Sequence, residues 1–149
     1  MQRSPQPPLL FLGCLLTGVA LGYLHPLELG LPFSLRAVFG TFLMLSILSL
    51  AGWSLLTFRR KRTTPEPNGV ATALLTSGPF RWTRNPLYLC LSSLLVWFGL
   101  MLDSAWVLAL TALLVLLLDR LVIRREEARL RAQFGGDFET YVLRVRRWL

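Results

Sequence analysis

AVFGTFLMLSILSLAGWSLLTF, residues 37–58, runs for 22 positions without a charged side chain. As an α-helix rising 1.5 Å per residue it extends about 33 Å, the thickness of a bilayer's hydrocarbon core. A soluble helix of that length needs a polar face, and this one has none to turn toward water. The stretch therefore reads as a membrane span, and the rest of the chain is organised around it.

Two more apolar regions flank this span. Leu9–Leu24 is uncharged and bracketed by Pro7-Pro8 and His25-Pro26. Leu87–Leu118 is interrupted only by Asp103. As one helix that region would extend about 48 Å, too far for a single crossing. A turn at Leu102-Asp103-Ser104 divides it into Leu87–Leu102 and Ser104–Ile123. The expected fold is all-α, an integral-membrane bundle of four helices at 9–24, 37–58, 87–102 and 104–123. One domain covers 1–149, with a cytoplasmic connector at 59–85 and a cytoplasmic helical segment at 124–149. Composition agrees. Of 149 residues, 54% are hydrophobic and 16% charged, and mean hydropathy is +0.54. A soluble domain of this size needs more charge on its surface. Cys14 and Cys90 both fall inside apolar runs, which argues against a disulfide framework.

The cations set the orientation. Sixteen Lys and Arg against eight Asp and Glu give a net charge of +8, and fifteen of the sixteen cations are Arg, a usage that suggests a GC-rich bacterial genome. With both termini on the cytoplasmic side of a bacterial inner membrane, only Arg36 lies outside, as the positive-inside rule requires. Gly18-Val19-Ala20 is a small-x-small pattern that also fits a cleavable signal peptide, although the apolar run continues past it to Leu24. The outer loops, around His25–Ser34 and Asp103, hold little chemistry, so function is expected on the inner face. Because the cations flank spans, orientation and contact with anionic lipid account for them without nucleic acid. No Walker-type glycine loop and no Cys/His set with metal-ligand spacing is present, so no metal site is expected.

Two inner segments gather chemistry. The first, Thr76–Tyr88, leads into the third span, with Pro86 suited to a first helical turn and Asn85 to the N-cap. Its bland reading is a capped helix with Arg81 and Arg84 on headgroups and Tyr88 in the aromatic belt. The second is Arg124-Arg125-Glu126-Glu127, just past the fourth span. Here the bland reading pairs Glu126 with Arg129 and Glu127 with Arg131 on the surface. Alternatively, the two carboxylates accept hydrogen bonds from a polar ligand's hydroxyls or amine. Beyond them, Gly135-Gly136 should stop the helix. Asp137 should cap a last short helix carrying Phe138, Tyr141, Val142 and Val145 on one face. The connector also contains the Pro- and Gly-rich stretch Thr63–Gly69.

Taken together, these segments resemble the isoprenylcysteine carboxyl methyltransferase family and its relatives among the phospholipid methyltransferases. The matching residues are Gly78, Phe80, Arg84, Asn85, Pro86 and Tyr88 before the hairpin. After it come Glu126 and Glu127, then Phe134, Gly135, Phe138 and Tyr141, so the likeness covers about Thr63 to Leu149. The resemblance implies an S-adenosylmethionine-dependent methyltransferase acting on a lipophilic acceptor, with the cofactor in a cytoplasm-facing pocket closed by the C-terminal segment. Gly78, Phe80, Arg84, Pro86, Tyr88, Glu126 and Glu127 would then line that pocket, with Arg84, Asn85 and Tyr88 nearest the chemistry. Asn85 stands where histidine is common in characterised relatives, although asparagine is frequent in bacterial forms. An amide is no base near neutral pH, which favours a carboxylate or thiolate acceptor over an ammonium that must first lose a proton. A phospholipid amine is the alternative acceptor. From a different class, the alternative is a non-catalytic scaffold or transport subunit. Transport is disfavoured because the polar residues noted within the spans are only Ser, Thr and small residues.

Overall fold

The computed structural model describes residues 5–62 and 73–149. Among these the architecture is entirely helical. Helix α1 is Pro7–Leu24, α2 Phe33–Arg60, α3 Pro86–Met101 and α4 Ala105–Leu117. A π-helical segment, Leu118–Ile123, carries α4 without a break into α5, Arg124–Phe134, and α6 is Gly136–Arg144. The stretch Thr63–Gly69 singled out in the sequence lies outside the described residues.

Three helices, Pro7–Leu24, Phe33–Arg60 and Ala105–Phe134, are long and apolar enough to cross a membrane, and Pro86–Met101 is a shorter apolar one. The molecule is a membrane helical bundle. Prolines open α1 and α3, where a missing N–H costs no hydrogen bond and φ is already helical. At Leu102–Ser104 the hairpin turns as the sequence predicts. Asp103 takes φ +53°, and the Ser104 hydroxyl caps α4 by accepting the Val107 N–H at 3.4 Å.

The α3–α4 hairpin is central, with α1 packed on α4 and α2 on α3. Leu95, Val107, Leu114 and Leu118 are fully buried at its centre, joined by Cys14 from α1. Between lipid-soluble helices, close packing does the work that water exclusion does elsewhere, so small residues mark the contacts. A Cβ on Gly18 would meet the Val107 Cα at 3.0 Å, and one on Gly99 would meet the Leu108 Cδ2 at 2.6 Å. Conversely, Leu9, Leu16, Phe39, Phe42 and Leu48 are exposed on the outer faces of α1 and α2, as lipid contact requires.

Beneath the bundle, Phe138, Tyr141 and Val145 form a second small core with Leu74, Leu130, Phe134 and Val142. This is the apolar face predicted for the last helix. Its start differs from expectation. Gly135, at φ +52°, occupies the N-cap position and no side chain caps the helix, so Asp137 sits exposed in the first turn.

Candidate functional site

Pro86 begins α3 at one mouth of the bundle, and Tyr88 stands in its first turn. Across the mouth, α5 presents Glu126 and Glu127 in its own first turn. The two elements meet through side chains. The Tyr88 hydroxyl donates to Glu126 Oε2 at 2.9 Å. Arg84 Nη2 lies 3.2 Å from Glu127 Oε1, with both side chains only 10% exposed. Four of the expected site residues, Arg84, Tyr88, Glu126 and Glu127, therefore converge. The surface pairing of Glu127 with Arg131 does not form; Arg131 pairs with Glu139 on α6 instead.

Other expected site residues serve the frame around this cluster. Gly78 has φ +63°, a conformation costly for any residue with a Cβ. A Cβ there would also lie 2.8 Å from Thr57 Oγ1 and 3.2 Å from Trp53 Nε1. The close approach that demands glycine is thus to α2. Phe80 is buried edge-on against Phe58 of α2, centroids 5.4 Å apart. Its carbonyl accepts the Tyr141 hydroxyl at 2.7 Å, tying the short 3₁₀ turn Gly78–Arg81 to α6. Burial pushes the Tyr141 phenol well above its usual pKa, so it remains a donor. Pro86 is fully buried.

Asn85 occupies the N-cap position of α3 but does not cap it. Its amide donates instead to the Arg147 carbonyl at 2.9 Å. Thr83 Oγ1 donates to the same carbonyl at 3.2 Å, and the Arg84 N–H donates to the Arg146 carbonyl at 3.0 Å. The segment after α6 thus returns to lie along Thr83–Asn85.

Two residues of this cluster were not among the site residues expected from the sequence. Arg147 engages Glu127 with two hydrogen bonds, Nε to Oε1 at 3.0 Å and Nη2 to Oε2 at 2.6 Å. Its remaining Nη1 reaches Asp119 Oδ1 at 2.9 Å, and Arg124 Nε holds Asp119 Oδ2 at 3.1 Å. Hydrogen bonds to Glu127 hold the Arg147 proton even more tightly than usual. Asp119 lies within the range assigned to the fourth span, so a carboxylate does occur there. A carboxylate at the foot of an apolar run was the available signal.

Burial dominates at Glu126, which lies beyond the apolar run, and raises its pKa. The Tyr88 hydrogen bond and the charge of Arg129 pull the other way, while Glu127 adds to the rise. Arg84 is the reverse case. Its Nε and Nη1 are buried with no acceptor. One mouth therefore offers cationic donors lacking an acceptor close to a carboxylate whose pKa is raised by burial.

This cluster lies at one end of a bundle whose helices are long and apolar enough to cross a membrane, which defines a membrane protein. Residues 35–137 match the phospholipid methyltransferase family. The chain belongs to that family of membrane methyltransferases. No curated protein and no solved structure matches it.

Proposed function

We propose that the protein is an integral-membrane methyltransferase using S-adenosylmethionine to methylate a lipophilic acceptor. The observation that carries this reading is the convergence of Arg84 and Tyr88 with Glu126 at one mouth, from elements separated by the helical hairpin. The cofactor's functional groups suit these residues. Its carboxylate needs donors such as the free nitrogens of Arg84, and its amine and hydroxyls need an acceptor such as Glu126. The Tyr88 ring offers an apolar surface with a polar tip. When bound, the cofactor supplies an activated methyl group, and the chain's task is to align it and exclude water. The inner side of a bacterial membrane is the expected place, since a soluble donor and a greasy acceptor meet at such an interface.

A carboxylate or thiolate acceptor is the primary reading, because Asn85 is engaged with the Arg147 carbonyl and supplies no base. The alternative, a phospholipid amine, is favoured by one specific feature. Glu126 has a raised proton affinity at the mouth and can accept the proton an ammonium must lose.

The test is titration of purified protein in lipid nanodiscs with S-adenosylhomocysteine, wild type beside Glu126→Gln. Saturable binding, weakened about tenfold or more in the variant by loss of a charged hydrogen bond, is the expected result. Folded wild type that binds nothing would instead favour a scaffold. Incubation with methyl-labelled cofactor and total lipid extract then identifies the acceptor. A methyl ester releases labelled methanol in alkali, whereas N-methyl and S-methyl products retain the label.

A further inference from the structure

Three parts of the chain meet at the Arg147 guanidinium. One edge is held by Glu127 of α5 and the remaining nitrogen by Asp119 of the π segment. On the main-chain side, Asn85 and Thr83 hold its carbonyl and the Arg84 N–H holds that of Arg146. Val145 is buried in the lower core, and Trp148 packs against the bundle core. Residues 145–149 thus form a strap across the mouth, fastened on α5 by charge and on the approach to α3 by hydrogen bonds.

The π segment makes the charged fastening possible. Eight positions separate Asp119 from Glu127. In a continuous α-helix they would point about 80° apart, since each residue turns the helix by about 100°. The wider turns of Leu118–Ile123 absorb about one residue and bring both carboxylates onto one face. One planar guanidinium then bridges them, with donors on separate nitrogens. Ion pairs removed from water add little net stability relative to apolar packing, but they fix position. Position matters here, because Arg84 has two donors sealed in without an acceptor.

We infer that Asp119, Glu127 and Arg147 form an ionic latch that closes the strap over Arg84 and Glu126 and retains a cofactor bound beneath it. This rests on the proposed methyltransferase reading. It makes Asp119 and Arg147 positioning residues. It also gives Glu127 a positioning role in place of direct contact with the cofactor, since Arg147 takes both its oxygens and Arg84 one of them.

The experiment compares wild type, Arg147→Met, Arg147→Lys, Asp119→Asn and the Arg147→Met/Asp119→Asn double variant as full-length protein in nanodiscs. Release of labelled S-adenosylhomocysteine is timed, and tryptic cleavage after Arg144 is followed by mass spectrometry. Arg147→Met should release the ligand about ten- to a hundredfold faster with little change in association rate. Asp119→Asn should have a smaller effect, and the double variant should release no faster than Arg147→Met, because both act through one contact. Arg147→Lys keeps the charge without the fork and should fall between. Cleavage after Arg144 should accelerate in the same order. In turnover, KM for the cofactor should rise while kcat at saturation stays within about threefold, a split that general loosening of the fold does not produce. Equal release rates in wild type and Arg147→Met would overturn the latch, as would faster cleavage with unchanged release. If wild type binds no S-adenosylhomocysteine, the cofactor reading fails separately, and cleavage decides. Faster cutting in Arg147→Met keeps a strap fastened by charge, and equal cutting removes it.

Discussion

Glu127 is held by the guanidiniums of Arg84 and Arg147, whereas the adjacent Glu126 has the Tyr88 hydroxyl on one oxygen and a raised pKa. Because its folded value exceeds the unfolded one, the stability Glu126 contributes is complete below the ordinary carboxylate range. That stability is lost as pH rises through the folded value. Once ionised, the side chain is held at a cost, which donors from a ligand would offset. Binding to the carboxylate then favours its ionised form and expels a proton. Affinity for S-adenosylhomocysteine should accordingly rise with pH until the free protein's Glu126 is fully ionised, then level off. Glu126→Gln should bind more weakly and show no such slope, which calorimetry across pH in buffers of different ionisation enthalpy would measure. A flat wild-type profile would remove Glu126 from the contact surface. Tyr88→Phe leaves Glu126 without its hydroxyl donor, and should cost about 1–3 kcal/mol in thermal or chemical unfolding. Arg84, Tyr88 and the carboxylate pair were legible in the sequence because each sits in a short local pattern. Asp119 and Arg147 were not, since their pairing depends on a chain return that no local spacing encodes.

Helix α2 meets the 3₁₀ turn at Gly78, which has a left-handed φ and Thr57 and Trp53 directly beyond it. Gly78→Ala should destabilise the protein by about 1–3 kcal/mol, from backbone strain together with overpacking. A lowered unfolding midpoint would register this, and unchanged stability would mean the turn can detach from α2. The π segment supports a less obvious expectation. If Leu118–Ile123 accommodates one surplus residue, deleting exposed Arg120 should let a regular α-helix form there. The apolar face above and Glu126–Glu127 below would keep their aim. Deleting exposed Leu113 from the middle of α4 should instead rotate one part by about 100° against the other. Folded, monodisperse protein from the first deletion and aggregated protein from the second is the expected pair of results in size-exclusion chromatography. Equal loss in both would show that the wide turn is itself required. The ends of the helices were readable from Pro7, Pro86 and Gly135, whose backbone preferences act locally. The π turn was not, because its residues Leu118, Asp119, Arg120, Leu121, Val122 and Ile123 have no composition that distinguishes it from α-helix.

Across the whole bundle, polar clusters stand at the two ends and a packed apolar core fills the middle. At the end opposite the mouth, Arg36 lies 3.4 Å from Asp103 through Nη2. Its other nitrogens donate to the carbonyls of Leu31, Leu100 and Met101. Asp103 in turn accepts the Leu29 N–H at 3.2 Å. Thus the single cation assigned to the outer side in the sequence fastens the loop before α2 to the α3–α4 turn. The bundle's layout was legible because charge-free runs and flanking arginines report depth directly. The use of Arg36 was not, since a loop contact depends on how the helices pair. Helix α3 separates the clusters by about 24 Å along its axis, well beyond the range over which substitutions ordinarily couple. Arg36→Ala should therefore lower stability by about 1–3 kcal/mol, by leaving carbonyls without donors, and leave cofactor release unchanged. Arg147→Met should accelerate release, and in the double variant the stability losses should add within about 0.5 kcal/mol. Thermal melts and release kinetics on the four proteins check this. A release rate that responds to Arg36→Ala would mean the ends communicate through α3, and that the mouth's geometry depends on how the far loops are tied.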